Sequence, residues 1–462
     1  MPLAVGAGAG ALTMVALCFA NGLQGGGAQT FAQSTEAIKH TFHINDVTLG
    51  VVPFFTGVVG NFGAVPIAAF CVRHRRTAVL GAMFVGWGVL MALAGLTPVF
   101  GVFGLAIAGF VLFGILRVAS SFLEATDPAS LPLIADWWPV EARARKVSIF
   151  NAGAAIGSFA GLAGAGVVVD EFGWRWAFVA WLPIALMGAA LIRSRREPDR
   201  GDQDARYSER LEATTAGSEH ELVVELVEHE APKVAAVVAE EVAARNRWDI
   251  VRAVARLRSW RWAALGIAVT GIMGNGLGTW GLAYFKRTFG LSSTQAAGLA
   301  PVLGVGAFLG VLGGGFLSDR MLRRGWLRAR VYVTGLGYGG AGLVYLAAFS
   351  TTTLAAAAPL LAVASTLAAL PTGPQFALLM DVTPSPLRSQ AAAAANCLQA
   401  AGATGALLVG GLSTLFGENL RLALLCVSPF YAIGGVLVLA ARRTYVEDQA
   451  IVVAEARGHR AG

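Results

Sequence analysis

The sequence predicts an all-α membrane protein of twelve transmembrane helices arranged as two six-helix bundles in parallel halves. Three observations lead there. Of its 462 residues, 56% are hydrophobic and only 14% charged, with a mean hydropathy of +0.63, too apolar for a soluble chain. The apolar residues fall into twelve runs of spanning length, six on either side of a polar middle segment. The second half also repeats the first. NGLQGGGAQTF from Asn21 matches NGLGTWGLAYF from Asn275, and Thr41-Phe42 with Gly50 and Pro53 recurs as Thr288-Phe289 with Gly298 and Pro301. Asp136, Pro139 and Arg143 return at the same spacing as Asp381, Pro384 and Arg388.

The runs cover 7–31, 47–71, 78–97, 104–126, 146–169 and 175–193, then 261–285, 295–317, 329–349, 353–378, 389–413 and 419–441. Lipid offers no partner to a backbone amide or carbonyl, so runs of this length are helices. Successive spans alternate in direction, and a sixfold unit repeated in one orientation gives halves related by an axis along the membrane normal. That arrangement puts a ligand site near the midplane between halves. The expected domains are a first bundle at 1–194, a linker at 195–260, a second bundle at 261–443 and a tail at 444–462.

Loop charge sets the orientation. Arg73, Arg75, Arg76, Arg143, Arg145, Lys146, Arg320, Arg323, Arg324, Arg328, Arg330 and Arg388 fall on one side, against Lys39, Arg175, Lys286, Arg287 and Arg421 on the other. The richer side is expected to be cytoplasmic, with both termini there and the chain in the plasma (inner) membrane. A net charge of +7 distributed in this way is that of membrane loops and excludes a nucleic-acid partner. Cys18, Cys71, Cys397 and Cys426 lie in or beside apolar runs without paired spacing, which supports neither disulfides nor zinc. No basic segment precedes the first run, so it is expected to be a span and not a cleaved signal.

The linker opens on RREPDRGDQDARYSERLEATTAGSEHE, which reads as a mobile loop. Residues 219–247 then carry apolar positions at helical spacing on an acidic background, broken near Pro232. WDIVRAVARLRSW, from Trp248 to Trp260, has the pattern of a helix lying on a membrane surface.

Chemistry concentrates in RVASSFLEATDPASLPLIADWWPVEARAR, from Arg117 to Arg145. An ionisable residue at the centre of a span costs roughly 2.5–3.5 kcal/mol and is kept where it meets a cavity or a partner. Arg117 and Glu124 are two helical turns apart, hence on one expected face, with Asp127 beyond. Burial favours the protonated form of such an acid and a nearby arginine its charged form, so Glu124 is the expected proton carrier, aided by Arg117 and Asp127. The alternative is a fixed ion pair that only orients the helix. Asn21, Gln24, Gln375, Asn396 and Gln399 are polar residues inside spans, where tying helices together is the commoner role.

GLGTWG and GLGYGG fit a dinucleotide-binding pattern but lie inside spans, where helix packing explains them. Gly153, Gly157 and Gly161, like Gly306, Gly310 and Gly314, clear flat strips for a neighbouring helix. Sequences for zinc proteolysis, a nucleophile elbow or a Walker A loop are absent, so an enzyme is not expected, nor a metal or cofactor.

GGFLSDRMLRRG contains Gly315, Asp319, Arg320, Arg323 and Arg324 in the Gly-x-x-x-Asp-Arg-x-x-Arg-Arg pattern of the major facilitator superfamily, which the chain resembles over its whole length. The resemblance implies a conformational latch built on those residues with Asp136, Arg143, Asp381 and Arg388. The first-half copy, AAFCVRHRR, has Ala68 for the Gly and Val72 for the Asp. Within the superfamily, Arg117 and Glu124, LPLIADWWPVEARARKVSIF and GLGTWGLAYF resemble the spinster-type lipid transporters. Those carry an Asp-Arg pair in the first span where this chain has Gly27 and Ala28. The resemblance implies alternating access, a cavity lined by Asn21, Gln24, Trp280, Tyr284, Gln375 and Asn396, protons as partners, and an amphipathic substrate such as a lysophospholipid. A monomer in contact with membrane lipid is expected. Two other readings stay open on the sequence: a drug or metabolite exporter of another subfamily, and a membrane sensor that keeps the fold without transport.

Overall fold

The computed structural model describes residues 3–44, 46–98, 105–213, 254, 256–291 and 293–461. Among them helix is the only regular secondary structure. Among the described residues ten helical stretches, from Val51–Arg73 to Leu420–Arg443, are long and apolar enough to cross a membrane. The helices Leu3–Phe42 and Arg258–Phe289, 40 and 32 residues long, are the first and seventh of the twelve spans. The chain forms two compact units, one of Met1–Leu133 with Phe150–Pro198, the other of Ile134–Ile149 with Asp199–Gly462.

In lipid, helices gain little by hiding apolar surface from each other, so close association needs small residues at the contact. The first unit meets this with glycine on both sides of one seam. Gly22, Gly25 and Gly26 of the first span lie against Gly153, Gly157 and Gly161 of the fifth, and a Cβ on Gly157 would overlap the carbonyl oxygen of Gly22. In the second unit Gly306, Gly310 and Gly314 of the eighth span meet the tenth span at Ala362, Thr366 and Leu370. Both strips expected from four-residue spacing are therefore seams between helices.

The fourth span departs from the reading. Its helix ends at Phe122 and resumes at Asp127, so Glu124 lies in the break and not on a continuous face with Arg117. Pro128 supplies the reason: it has no N–H to give to the carbonyl of Glu124, and it is tolerated where it stands, in the first turn of the resumed helix. The tenth span breaks at Leu370 and Pro371 and resumes at Thr372. The register that pairs Asp136 with Asp381 pairs Asp127 with Thr372, so the two halves share this interruption.

The start of the linker is another correction. Among the described residues of that stretch only Arg195–Gly201 is irregular; Asp202–Ala213 is a helix, with Asp204 and Tyr207 buried. Local composition favoured a loop, and tertiary contacts override it. The tail is a helix too, Tyr445–Ala461. Tyr207 and Val140 join Leu322, Leu327, Val446, Ala450 and Val453 in one apolar core. The expected acidic helix at 219–247 and most of 248–260 lie outside the described residues.

Gly157→Leu is expected to cost about 1–3 kcal/mol by overfilling the seam, read as a lower thermal midpoint in detergent. Gly164→Ala, on the same helix with open space around its Cβ position, should leave the midpoint unchanged or raise it slightly.

Candidate functional site

The first unit holds a charged pair at the helix break. Arg117 is only 5% exposed, and its Nη1 lies 3.8 Å from Glu124 Oε1. The same nitrogen donates to Ser120 Oγ at 2.7 Å and approaches Met91 Sδ at 3.0 Å, while the guanidinium stands 6.0 Å from the Phe31 ring. Glu124 Oε1 accepts from Trp87 Nε1 at 2.9 Å. Trp87 meets Trp181 edge-on at 5.6 Å, and Trp181 Nε1 donates to Thr30 Oγ1 at 2.9 Å. Sequence reasoning missed Trp87. Gly27 makes room for it, since a Cβ there would stand 2.7 Å from the Trp87 ring. Asp127 is half-buried at the first position of the resumed helix.

The carboxylate thus receives an indole N–H and a guanidinium at a point where the backbone has left the helix. Arg117 Nε is buried and lacks a hydrogen-bond partner, so the guanidinium retains donor capacity.

The other expected cavity residues each have their own surroundings within their unit. Asn21 is buried and donates to Phe150 O at 3.0 Å, tying the first span to the fifth, and Gln24 is exposed. In the second unit Trp280 Nε1 donates to Ala406 O at 2.8 Å. Tyr284 is 0% exposed, edge-on to Phe349 at 5.2 Å. Gln375 accepts from the Tyr338 hydroxyl, and Asn396 is half-buried.

The latch residues of the second unit do meet. Arg143 Nη1 donates to Asp381 Oδ1 at 3.0 Å, and Arg388 Nη1 to Asp136 Oδ1 at 3.1 Å. Each arginine also donates to a carbonyl of its own repeat, Arg143 to Ala135 and Arg388 to Met380, so the sequence repeat becomes a crossed pair. Asp319 accepts from the amides of Ala144 at 3.3 Å and Arg145 at 2.8 Å. Gly315 permits that approach, since a Cβ there would stand 2.8 Å from Ala144 O. Arg320, Arg323 and Arg324 are exposed, Arg323 reaching Glu141 O at 3.3 Å.

Three members of this cluster escaped the sequence reading. Arg330, 0% exposed, pairs with Asp381 and lies 3.7 Å from Asp319. The Tyr445 hydroxyl donates to Asp381 Oδ2 at 3.0 Å, and burial pushes the Tyr445 phenol up to about 12. Asp204, from the linker helix, stands 2.9 Å from Arg143 Nη2 and 2.7 Å from Arg388 Nη2. Burial pushes its carboxyl up, but Arg143 and Arg388 together outweigh that and hold it below the usual range. In the first unit, Arg76 finds an equally distant acid. Glu197 Oε1 accepts from Arg76 N at 3.0 Å and Nε at 2.9 Å, and Oε2 from Thr77 N at 3.4 Å. Burial raises the Glu197 carboxyl and the Arg76 contacts bring it down further than that.

Asp204→Asn is expected to cost about 3–5 kcal/mol at neutral pH, because Arg143 and Arg388 keep their burial and lose a counter-charge. A depressed carboxyl contributes stability that is complete above its unfolded value and lost as pH falls through the folded one. The gap between parent and variant should therefore close below about pH 4, in thermal unfolding compared across pH.

The description Major Facilitator Superfamily matches residues 14–406. An "MFS-type efflux pump" of Mycolicibacterium smegmatis is 26% identical over 294 residues, 63% of this chain and 58% of that protein. A "probable galactarate/D-glucarate transporter GudP" of Pseudomonas putida is 24% identical over 302 residues, 64% of this chain and 61% of that one. The chain thus spans less than two thirds of the length of these curated relatives. Among solved structures, the proton:xylose symporter XylE has a TM-score of 0.69 at 17% identity, covering 98% of this chain and 99% of its own. A bacterial homologue of the human lysosomal transporter Spinster, inward-facing and unoccupied, has a TM-score of 0.53 at 18% identity, covering 95% and 98%. These likenesses share the fold. With a family match running through most of its length, the chain is a member of the Major Facilitator Superfamily.

Proposed function

We propose that the chain is a secondary transporter that works by alternating access and couples an amphipathic small molecule to protons through Glu124. The observation that carries this is the Arg117–Glu124 pair at the interruption of the fourth span, with Trp87 as second partner of the carboxylate. Interrupted spans at membrane depth are where transporters of known mechanism hold substrates and coupling ions. Relatives named as an efflux pump and a proton symporter support the general reading. An apolar and aromatic surround with one arginine suits a charged amphiphile, such as a lysophospholipid, better than a sugar, whose hydroxyls would each need a partner. The arginine-rich loops, the linker and the tail are assigned to the cytoplasm, in the plasma (inner) membrane, with the chain working as a monomer.

Glu124→Gln should abolish accumulation driven by a pH gradient in proteoliposomes and leave substrate binding and downhill exchange largely intact. Accumulation by the variant with the pH gradient as sole driving force would show that the coupling acid lies elsewhere. In intact cells, a cysteine placed at Arg206, exposed on the linker helix, should stay unmodified by a membrane-impermeant maleimide and react after lysis.

A further inference from the structure

The tail helix has no part in the transport reading, yet it is deeply built into the second unit. Between Tyr445 and Glu455 only Glu447 is exposed. Asp448 Oδ2 accepts from the Ser259 amide at 2.7 Å, in the first turn of the seventh span. Glu455 Oε2 accepts from the Ser385 amide at 3.3 Å, in the short turn that leads into the eleventh span. The Tyr445 hydroxyl reaches Asp381 in the charge cluster.

These carboxylates do what local residues do not. The capping position of the seventh span is Leu257 and that of the turn before the eleventh is Pro384, neither with a side-chain cap. Asp319 supplies the acid for the start of the fifth span, and its first-half counterpart is Val72. The eleventh span, the repeat of the fifth, takes a carboxylate from the tail instead.

We propose that the helix Tyr445–Ala461 is a detachable latch of the second unit. Through Asp448 and Glu455 it holds the starts of the seventh and eleventh spans, and through Tyr445 and its apolar core it holds the linker helix and charge cluster. Lifting it frees these segments together, which makes the tail a regulator of how firmly the charge cluster is held.

Hydrogen exchange of the full-length protein in nanodiscs tests this without needing a substrate. Asp448→Ala should speed exchange roughly fivefold at Ser259, the loss typical of a cap. If the helix is a latch, Ala144 and Arg145, whose amides are held by Asp319 elsewhere in the cluster, should speed up as well. Asp448→Asn, which keeps an acceptor, should fall between the parent and Asp448→Ala, and Glu447→Ala should match the parent. Faster exchange confined to Ser259 would make Asp448 a local cap and overturn the latch, as would parental rates throughout. If Asp448→Ala does not fold, Asp448→Asn carries the same test, and parental exchange at Ala144 and Arg145 in it overturns the proposal.

Discussion

The structure depends on carboxylates that cap helices from a distance. A helix start leaves amide hydrogens without partners and carries partial positive charge, so it needs an acceptor, normally from its own N-cap residue. Here the local positions before three of the starts are Arg75, Leu257 and Pro384, none with a side-chain cap. Glu197 serves Arg76 and Thr77, Asp319 serves Ala144 and Arg145, Asp448 serves Ser259, and Glu455 serves Ser385. A local cap stabilises its helix whatever the neighbours do. A remote cap does so only while two segments are together, so helix ends and tertiary contacts form and loosen as one.

The cluster in the second unit is costly to assemble. Arg143, Arg330 and Arg388 are buried with Asp136, Asp204, Asp319 and Asp381, and desolvating so many charges consumes most of what their attraction returns. Such a cluster adds little net stability against an apolar alternative, but it fixes which segments meet. Removing one member is expensive because the rest stay buried. Crossed pairing of the two repeats sets the register, and Asp204 binds both arginines at once.

Sequence reasoning reached those parts of the site whose partners repeat. Asp136 and Arg143 return as Asp381 and Arg388, so their joint importance was visible without coordinates. The glycine strips were visible because four-residue spacing marks one helix face. Asp204 was not, since Pro198, Gly201 and many charges make its surroundings read as a loop, and its value depends on two arginines far away in the chain. Arg330 was visible only as one more loop charge. The break at Glu124 was legible in Pro128 but was overridden by the apolar run around it. The tail carried a usable sign in Val446, Ala450 and Val453, spaced for one face of a helix, although its partner Tyr207 lay in the segment read as loop.

Trp87 occupies the space that a longer side chain at Gly27 would need. The two positions are therefore one volume shared between two helices. A longer side chain at 27 cannot enter until the indole gives way, and when it does, Glu124 loses a donor. A single change at either position therefore leaves an acid short of a partner or a helix pushed aside, so the side chain admitted at 27 is set from a helix two spans away.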